Sequence, residues 1–337
     1  MEQNHGPADV SPDLAVQLGP LRLKNPVMTA SGTFGYGEEY SDFFDLRRLG
    51  AVVVKGISLN PRAGNPPPRL VETPSGMINS IGLENVGAER FLSVKLPFLR
   101  ELGVPAIVNI FGNTVEEYGE LAARLDSASG IAAIEINVSC PNVKEGGMVF
   151  GTDPAMTSKV VKAVRLSTRL PIITKLTPNV TSVPEIAKAA WEAGSDIISC
   201  INTIAAMSVD IFSRRPRLAN IFGGLSGPAV KPVALRCVYE VTRAVDCPVI
   251  GIGGIATATD ALEFLLVGAS AVQVGTANFV NPACSIEIIE GIERFLKVEG
   301  ITDIKNFIGS MDTGCLFPFA EDSCATIESE LSQGKFV

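Results

Sequence analysis

The sequence predicts an α/β fold: a (β/α)8 TIM barrel with long insertions at one rim. Three observations carry this expectation. Eight short apolar segments recur along the 337 residues. Their hydrophobicity is continuous rather than alternating, as in parallel strands buried on both faces. Helical patterns separate most of them, which is the rhythm of βα units. Eight such units in about 300 residues fit a closed barrel. A doubly wound open sheet is the alternative.

The strands are expected at 27–30, 51–55, 106–110, 132–138, 171–176, 196–202, 248–251 and 271–275, each a compact apolar run. Helices are expected at 115–127, 154–167, 183–193, 232–244 and 259–267, with one more at 286–298 after the last strand. Three connections exceed simple turns: 56–105, 141–153 and 203–231. The first contains Asn60-Pro61-Arg62, the second Gly146-Gly147, and the third Arg214-Arg215-Pro216-Arg217. Long ordered insertions commonly serve as lids or caps. All three follow strands, so all three belong at the rim where barrels keep their chemistry. Residues 14–309 are expected to form one barrel domain, and 310–337 a tail without clear pattern.

Composition excludes several function classes. The chain is 46% hydrophobic and 19% charged, which suits an enzyme with a large interior. Its net charge of -8 argues against a nucleic-acid partner, which needs clustered Lys and Arg. No apolar run reaches the ~18 residues of a membrane span, and no export signal opens the chain, so a cytoplasmic protein is expected. The seven cysteines are scattered, with no C-x-x-C pair, so neither a disulfide framework nor a zinc or iron–sulfur site is expected in this chain. The single histidine is His5. Ser-His-Asp and Cys-His schemes are therefore out, and acid–base work falls to Cys, Lys, Asp, Glu or Tyr.

The strand ends carry the chemistry. They present Ser31-Gly32, Lys55, Asn109, Asn137 with Cys140, Lys175, Asn202-Thr203, Gly253-Gly254 and Gly275-Thr276, in chain order. Any one of these can be a plain strand terminator; in a barrel all converge on one rim. A lysine after an apolar strand is costly unless an anion or electron-rich ligand meets it. Asparagines offer both donor and acceptor, which suits a flat ring bearing amide N–H and C=O groups. The glycine turns after the last two strands can be ordinary turns or a phosphate site, and they match a mononucleotide better than a dinucleotide. Cys140 can be a buried thiol, but the missing histidines, its place at a strand end and the glycine-bearing loop behind it make it the candidate base.

The segment Asn137-Val138-Ser139-Cys140-Pro141-Asn142-Val143-Lys144-Glu145-Gly146-Gly147 resembles the catalytic segment of dihydroorotate dehydrogenases. The resemblance extends to Ser31–Tyr40, Lys55, Gly64-Asn65-Pro66, Asn79–Asn85, Lys175–Val180, Ile201-Asn202-Thr203, Gly223–Pro232 and Gly275–Phe279, covering roughly residues 15 to 300. Cys rather than Ser at position 140 resembles class 1, and the glycine-rich segments resemble subclass 1B. The resemblance implies oxidation of dihydroorotate to orotate in pyrimidine biosynthesis. Cys140 would take the proton from ring carbon 5, and hydride would pass from carbon 6 to the flavin of FMN. It implies substrate contacts from Lys55, Asn79, Ser80, Ile81, Gly82, Leu83, Asn137, Asn142, Asn202 and Thr203. FMN contacts would come from Ala30, Ser31, Gly32, Lys55, Asn109, Asn137, Lys175, Ile201, Ser226, Gly227, Gly253, Gly254, Gly275 and Thr276. No metal site is implied. A homodimeric core would join an electron-transfer subunit carrying FAD and a [2Fe–2S] cluster, which reaches NAD, as a heterotetramer. Subclass 1A, a homodimer using fumarate, and a flavin reductase of uracil-like rings are the alternatives. The chain departs from the family in its longer tail, which carries Cys315 and Cys324.

Overall fold

The computed structural model describes residues 11–139 and 150–314. Eight parallel strands form its centre: β1 (Val27–Thr29), β2 (Val52–Val53), β3 (Ala106–Ile110), β4 (Ile131–Asn137), β5 (Ile172–Leu176), β6 (Ile197–Cys200), β7 (Val249–Ile252) and β8 (Ala271–Val274). Strand β8 pairs with β1 through Val272 and Val27, and a bridge from Met28 to Ala51 joins β1 to the chain just before β2. The ring is thereby closed, which disposes of the open-sheet alternative. Every residue of β3 and of β5 through β8 is buried, as strands covered by helices on one face and by the barrel interior on the other require.

Among the described residues, seven α-helices of seven residues or more surround the ring: α1 (Leu96–Leu102), α2 (Val115–Asp126), α3 (Pro154–Ser167), α4 (Val183–Glu192), α5 (Lys231–Thr242), α6 (Ala258–Leu266) and α7 (Cys284–Val298). Their starts follow from local chemistry. Thr114, Asp153 and Ser182 each accept a backbone N–H at the first turn of α2, α3 and α4, satisfying donors that a helix N-terminus leaves open. Thr257 and Asp260 form a reciprocal capping box at α6. Helix α7 buries Ile288, Ile289, Ile292 and Leu296, a 3-to-4-residue stripe against the barrel. Among the described residues no helix is long and apolar enough to cross a membrane.

Two additions were not evident from hydrophobic runs. An antiparallel hairpin of Val16–Leu18 and Leu21–Leu23 buries Leu18 and Leu23. Its Gly19 turn lies against Asp196, just before β6, so it covers the N-terminal end of the barrel. At the opposite end, strands Leu70–Thr73 and Gly76–Asn79 from the first insertion join Ile204–Met207 and Phe222–Ser226 from the third. These four form one antiparallel sheet, in which Gly76–Asn79 pairs with Phe222–Ser226. Of the second insertion, residues 150–153 are described: a single turn at Phe150–Thr152 and the Asp153 cap.

Candidate active site

Between the C-terminal ends of the barrel strands and the four-stranded cap lies a cavity of about 1260 Å³. Its floor is the barrel interior. The two-residue strand period puts Glu135 and Asn137 on one face of β4. The register sets Asn109 of β3 opposite Glu135, and Lys175 of β5 opposite Asn137. Asn109, Asn137 and Lys175 line the cavity. The Lys175 ammonium, with its side chain 7% exposed, stands 3.8 Å from Glu135 Oε1 and makes no hydrogen bond to another described residue. A buried cation with free N–H groups is stable only if something electron-rich meets it.

The amides face the same space. Asn137 Oδ1 accepts the Ser139 N–H at 3.1 Å and Asn202 Oδ1 accepts the Thr203 N–H at 2.8 Å. Each carbonyl is thus fixed, and the NH2 groups have no described partner. Ser139 donates its hydroxyl to the Lys175 carbonyl at 2.8 Å, which ties the end of β4 to β5. Asn79 enters from the cap and donates to Gly224 O at 3.4 Å.

Residues 80–83 form a tight turn in the cavity wall. Asn65 shapes it: its N–H donates to Ile81 O at 2.9 Å and its side-chain amide to Ser80 O at 2.9 Å. Gly82 has φ +77°, and a Cβ there would sit 2.6 Å from the Asn65 nitrogen, so only glycine allows this close approach. The Ser80 hydroxyl is buried with no described partner. Arg69 and Glu84, paired at 2.5 Å, flank the turn.

Opposite lie the glycine turns. After β7, Gly254 adopts φ +73° against the backbone of Lys231. After β8, Gly275 and Thr276 follow, and Thr276 Oγ1 shares a hydrogen bond with Ser226 Oγ of the cap at 2.8 Å. The backbone N–H groups of Gly254, Gly275 and Thr276 make no hydrogen bond to other described residues. Lys231 is itself held by Asp260 at 2.7 Å and Glu263 at 2.8 Å, and these hydrogen bonds keep its ammonium protonated above the usual lysine range.

All the expected contact residues within the described chain line this one cavity, from Ala30, Ser31 and Gly32 through Lys55, Ile201 and Gly227 to Thr276. Cys140 and Asn142 lie outside the described residues, as do Cys315 and Cys324. Of the described thiols only Cys284 lines the cavity, and burial pushes it up to about 11. Burial likewise raises Cys200, at the end of β6. Among the described residues no group of His, Cys, Asp and Glu is placed to hold a metal ion. Glu135, Ser199 and Gln273 are not among the residues that the sequence singles out, and Asn65 stands there only within the Gly64-Asn65-Pro66 segment. A Glu inside the apolar run 131–137 was the available signal for the first.

A closed (β/α)8 barrel whose C-terminal rim gathers amides, ammonium groups and glycine turns under a cap has the architecture of a rim-site barrel enzyme. The model of the family "Dihydroorotate dehydrogenase" matches residues 13–296, and the chain belongs to that family. It is 59% identical over 302 residues to "Dihydroorotate dehydrogenase B (NAD(+)), catalytic subunit" of Geotalea uraniireducens, covering 90% of this chain and 99% of the relative. A protein of the same name from Trichlorobacter lovleyi is 59% identical over 90% of this chain and 100% of its own. One from Desulforamulus reducens is 60% identical over 88% and 98%.

Proposed function

We propose that this chain oxidises dihydroorotate to orotate in pyrimidine biosynthesis, with FMN as resident cofactor and Cys140 as base. The observation that carries the proposal is the convergence of the two lysines, the amides and the glycine turns on one capped cavity, in a chain of this family.

The residues present fit FMN. Asn109 Oδ1 is buried with no described partner, as an acceptor awaiting a ring N–H would be. Lys175 supplies positive charge at the floor. The N–H groups of Gly254, Gly275 and Thr276 are free to take phosphate oxygens, and Gly254 keeps that turn clear of a side chain. Ala30, Ser31, Gly32, Lys55, Asn137, Ile201, Ser226, Gly227 and Gly253 complete the proposed cofactor contacts. When bound, FMN supplies the acceptor for the hydride that leaves ring carbon 6.

The chain's own residues do the rest. Asn79, Asn137, Asn142 and Asn202 hold the amides and the carboxylate of the pyrimidine, with Lys55, Ser80, Ile81, Gly82, Leu83 and Thr203 around them. Cys140 removes the proton from ring carbon 5. Lys175 opposes the negative charge that arrives with the electrons. The cap sheet excludes water.

The electrons go on to NAD+ through a second subunit carrying FAD and a [2Fe–2S] cluster, on a homodimeric core of this chain. The names of the relatives support this reading, since they specify NAD(+) and a catalytic subunit, while this sequence has no dinucleotide fingerprint. An assay of the isolated FMN-loaded chain with dihydroorotate tests it. Neither NAD+ nor fumarate should support sustained turnover until the partner is added. Robust fumarate turnover would favour a stand-alone enzyme, and robust NAD+ turnover without a partner would end the two-subunit account.

A further inference from the structure

The barrel interior beneath the cavity holds a carboxylate that the proposed chemistry does not use. Glu135, two residues before Asn137 on β4, is fully buried. Side chains from four other strands converge on it. Asn109 Nδ2 donates to Oε1 at 2.7 Å, while Gln273 Nε2 and Ser199 Oγ donate to Oε2 at 2.7 and 3.2 Å. Lys175 Nζ stands 3.8 Å away.

An amide that turns its NH2 toward a carboxylate must turn its oxygen elsewhere. Asn109 Oδ1 and Gln273 Oε1 are accordingly buried with no described partner. The Asn109 oxygen lies beside Gly56 in the cavity wall, where a Cβ on that glycine would come within 2.9 Å of it. The Lys175 contact exceeds hydrogen-bond length. The carboxylate therefore opposes the ammonium's charge without consuming its donors, which stay available to the cavity.

We infer that Glu135 is a positioning residue: it fixes the Asn109 amide through Nδ2, leaving that amide's oxygen unspent, and sets the net charge that Lys175 presents to a bound flavin. The inference rests on the FMN reading above. At a buried site charges are weakly screened, so neutralising Glu135 leaves Lys175 uncompensated and favours the reduced, more negative cofactor.

Redox titration of the FMN-loaded protein is the test, with wild type, Glu135→Gln and Ser199→Ala compared. Glu135→Gln should shift the reduced-to-oxidised ratio at fixed potential at least about tenfold toward reduced, or about 30 mV upward for a two-electron couple. Ser199→Ala removes one donor but keeps the charge, and should leave the potential unmoved. An unmoved potential in FMN-loaded Glu135→Gln overturns the inference. Should that variant give no holoprotein, Glu135→Asp decides: it withdraws the same charge by one methylene and should shift the potential upward by a smaller amount, and an unmoved value overturns the inference. Wild-type protein that takes up no FMN overturns the cofactor reading as well; FMN uptake with an unmoved Glu135→Gln overturns this inference alone.

Discussion

Cys140→Ser slows reduction of the bound flavin by dihydroorotate about 10²- to 10⁴-fold at neutral pH, the usual contribution of a positioned general base, and leaves FMN bound. The only histidine is His5. The described thiol in the cavity wall, Cys284, is pushed up to about 11 by burial and is a poor base near pH 7. Glu84 in the wall is paired with Arg69. Glu135 accepts hydrogen bonds from three side chains under the floor. Cys140 directly follows Ser139, which lines the cavity. A thiol ionises near ~8.5 in water, whereas a serine hydroxyl does so far higher, so the deficit should shrink as pH rises. FMN uptake should persist because the cofactor contacts come from other residues. Stopped-flow absorbance under anaerobic conditions gives the rate, and a wild-type rate in Cys140→Ser removes this residue as the base.

Gly254→Val should weaken FMN binding at least about a hundredfold and lower folding stability by about 2 kcal/mol or more. A β-branched residue at φ +73° is conformationally penalised by about 1–3 kcal/mol. Its Cβ would also fall 2.8 Å from the Lys231 backbone nitrogen. That backbone cannot retreat freely, because Lys231 starts α5 and its ammonium is anchored by Asp260 and Glu263. Relief must come from the turn itself, which moves the N–H groups proposed to hold phosphate. Quenching of FMN fluorescence on binding and urea denaturation of the apoprotein measure the two effects separately. Binding and stability both at wild-type level would show that this turn is not part of the cofactor site.

Much of this was legible from residues alone. The barrel strands announce themselves because both faces are buried, so segments such as 106–110 and 171–176 read as continuous rather than alternating apolar runs, interrupted only by Asn109, Thr174 and Lys175. Lys55, Lys175, Asn109, Asn137 and Asn202 stand out because polar groups at the ends of such runs need a reason. The cap sheet was hidden for the opposite cause. Leu70–Thr73 and Phe222–Ser226 are half-exposed, and the latter contains Gly223 and Gly224. The pairing of Gly76–Asn79 with Phe222–Ser226 joins segments far apart in the chain. The N-terminal hairpin uses strands of three residues, too short for a period to register. Glu135 was visible as a charge in an apolar strand, but its role depends on Asn109, Ser199 and Gln273 from three other strands, which only barrel closure brings together. Asn65 acts on a turn fifteen residues later, a distance that sequence spacing does not encode.

This cavity is proposed to bind FMN and to reduce it with dihydroorotate. Anaerobic addition of dihydroorotate to the FMN-loaded chain, without partner or acceptor, tests it most directly. The flavin absorbance should bleach, with orotate formed in proportion to the flavin reduced. A flavin that stays oxidised, or a protein that takes up no flavin at all, would contradict the account.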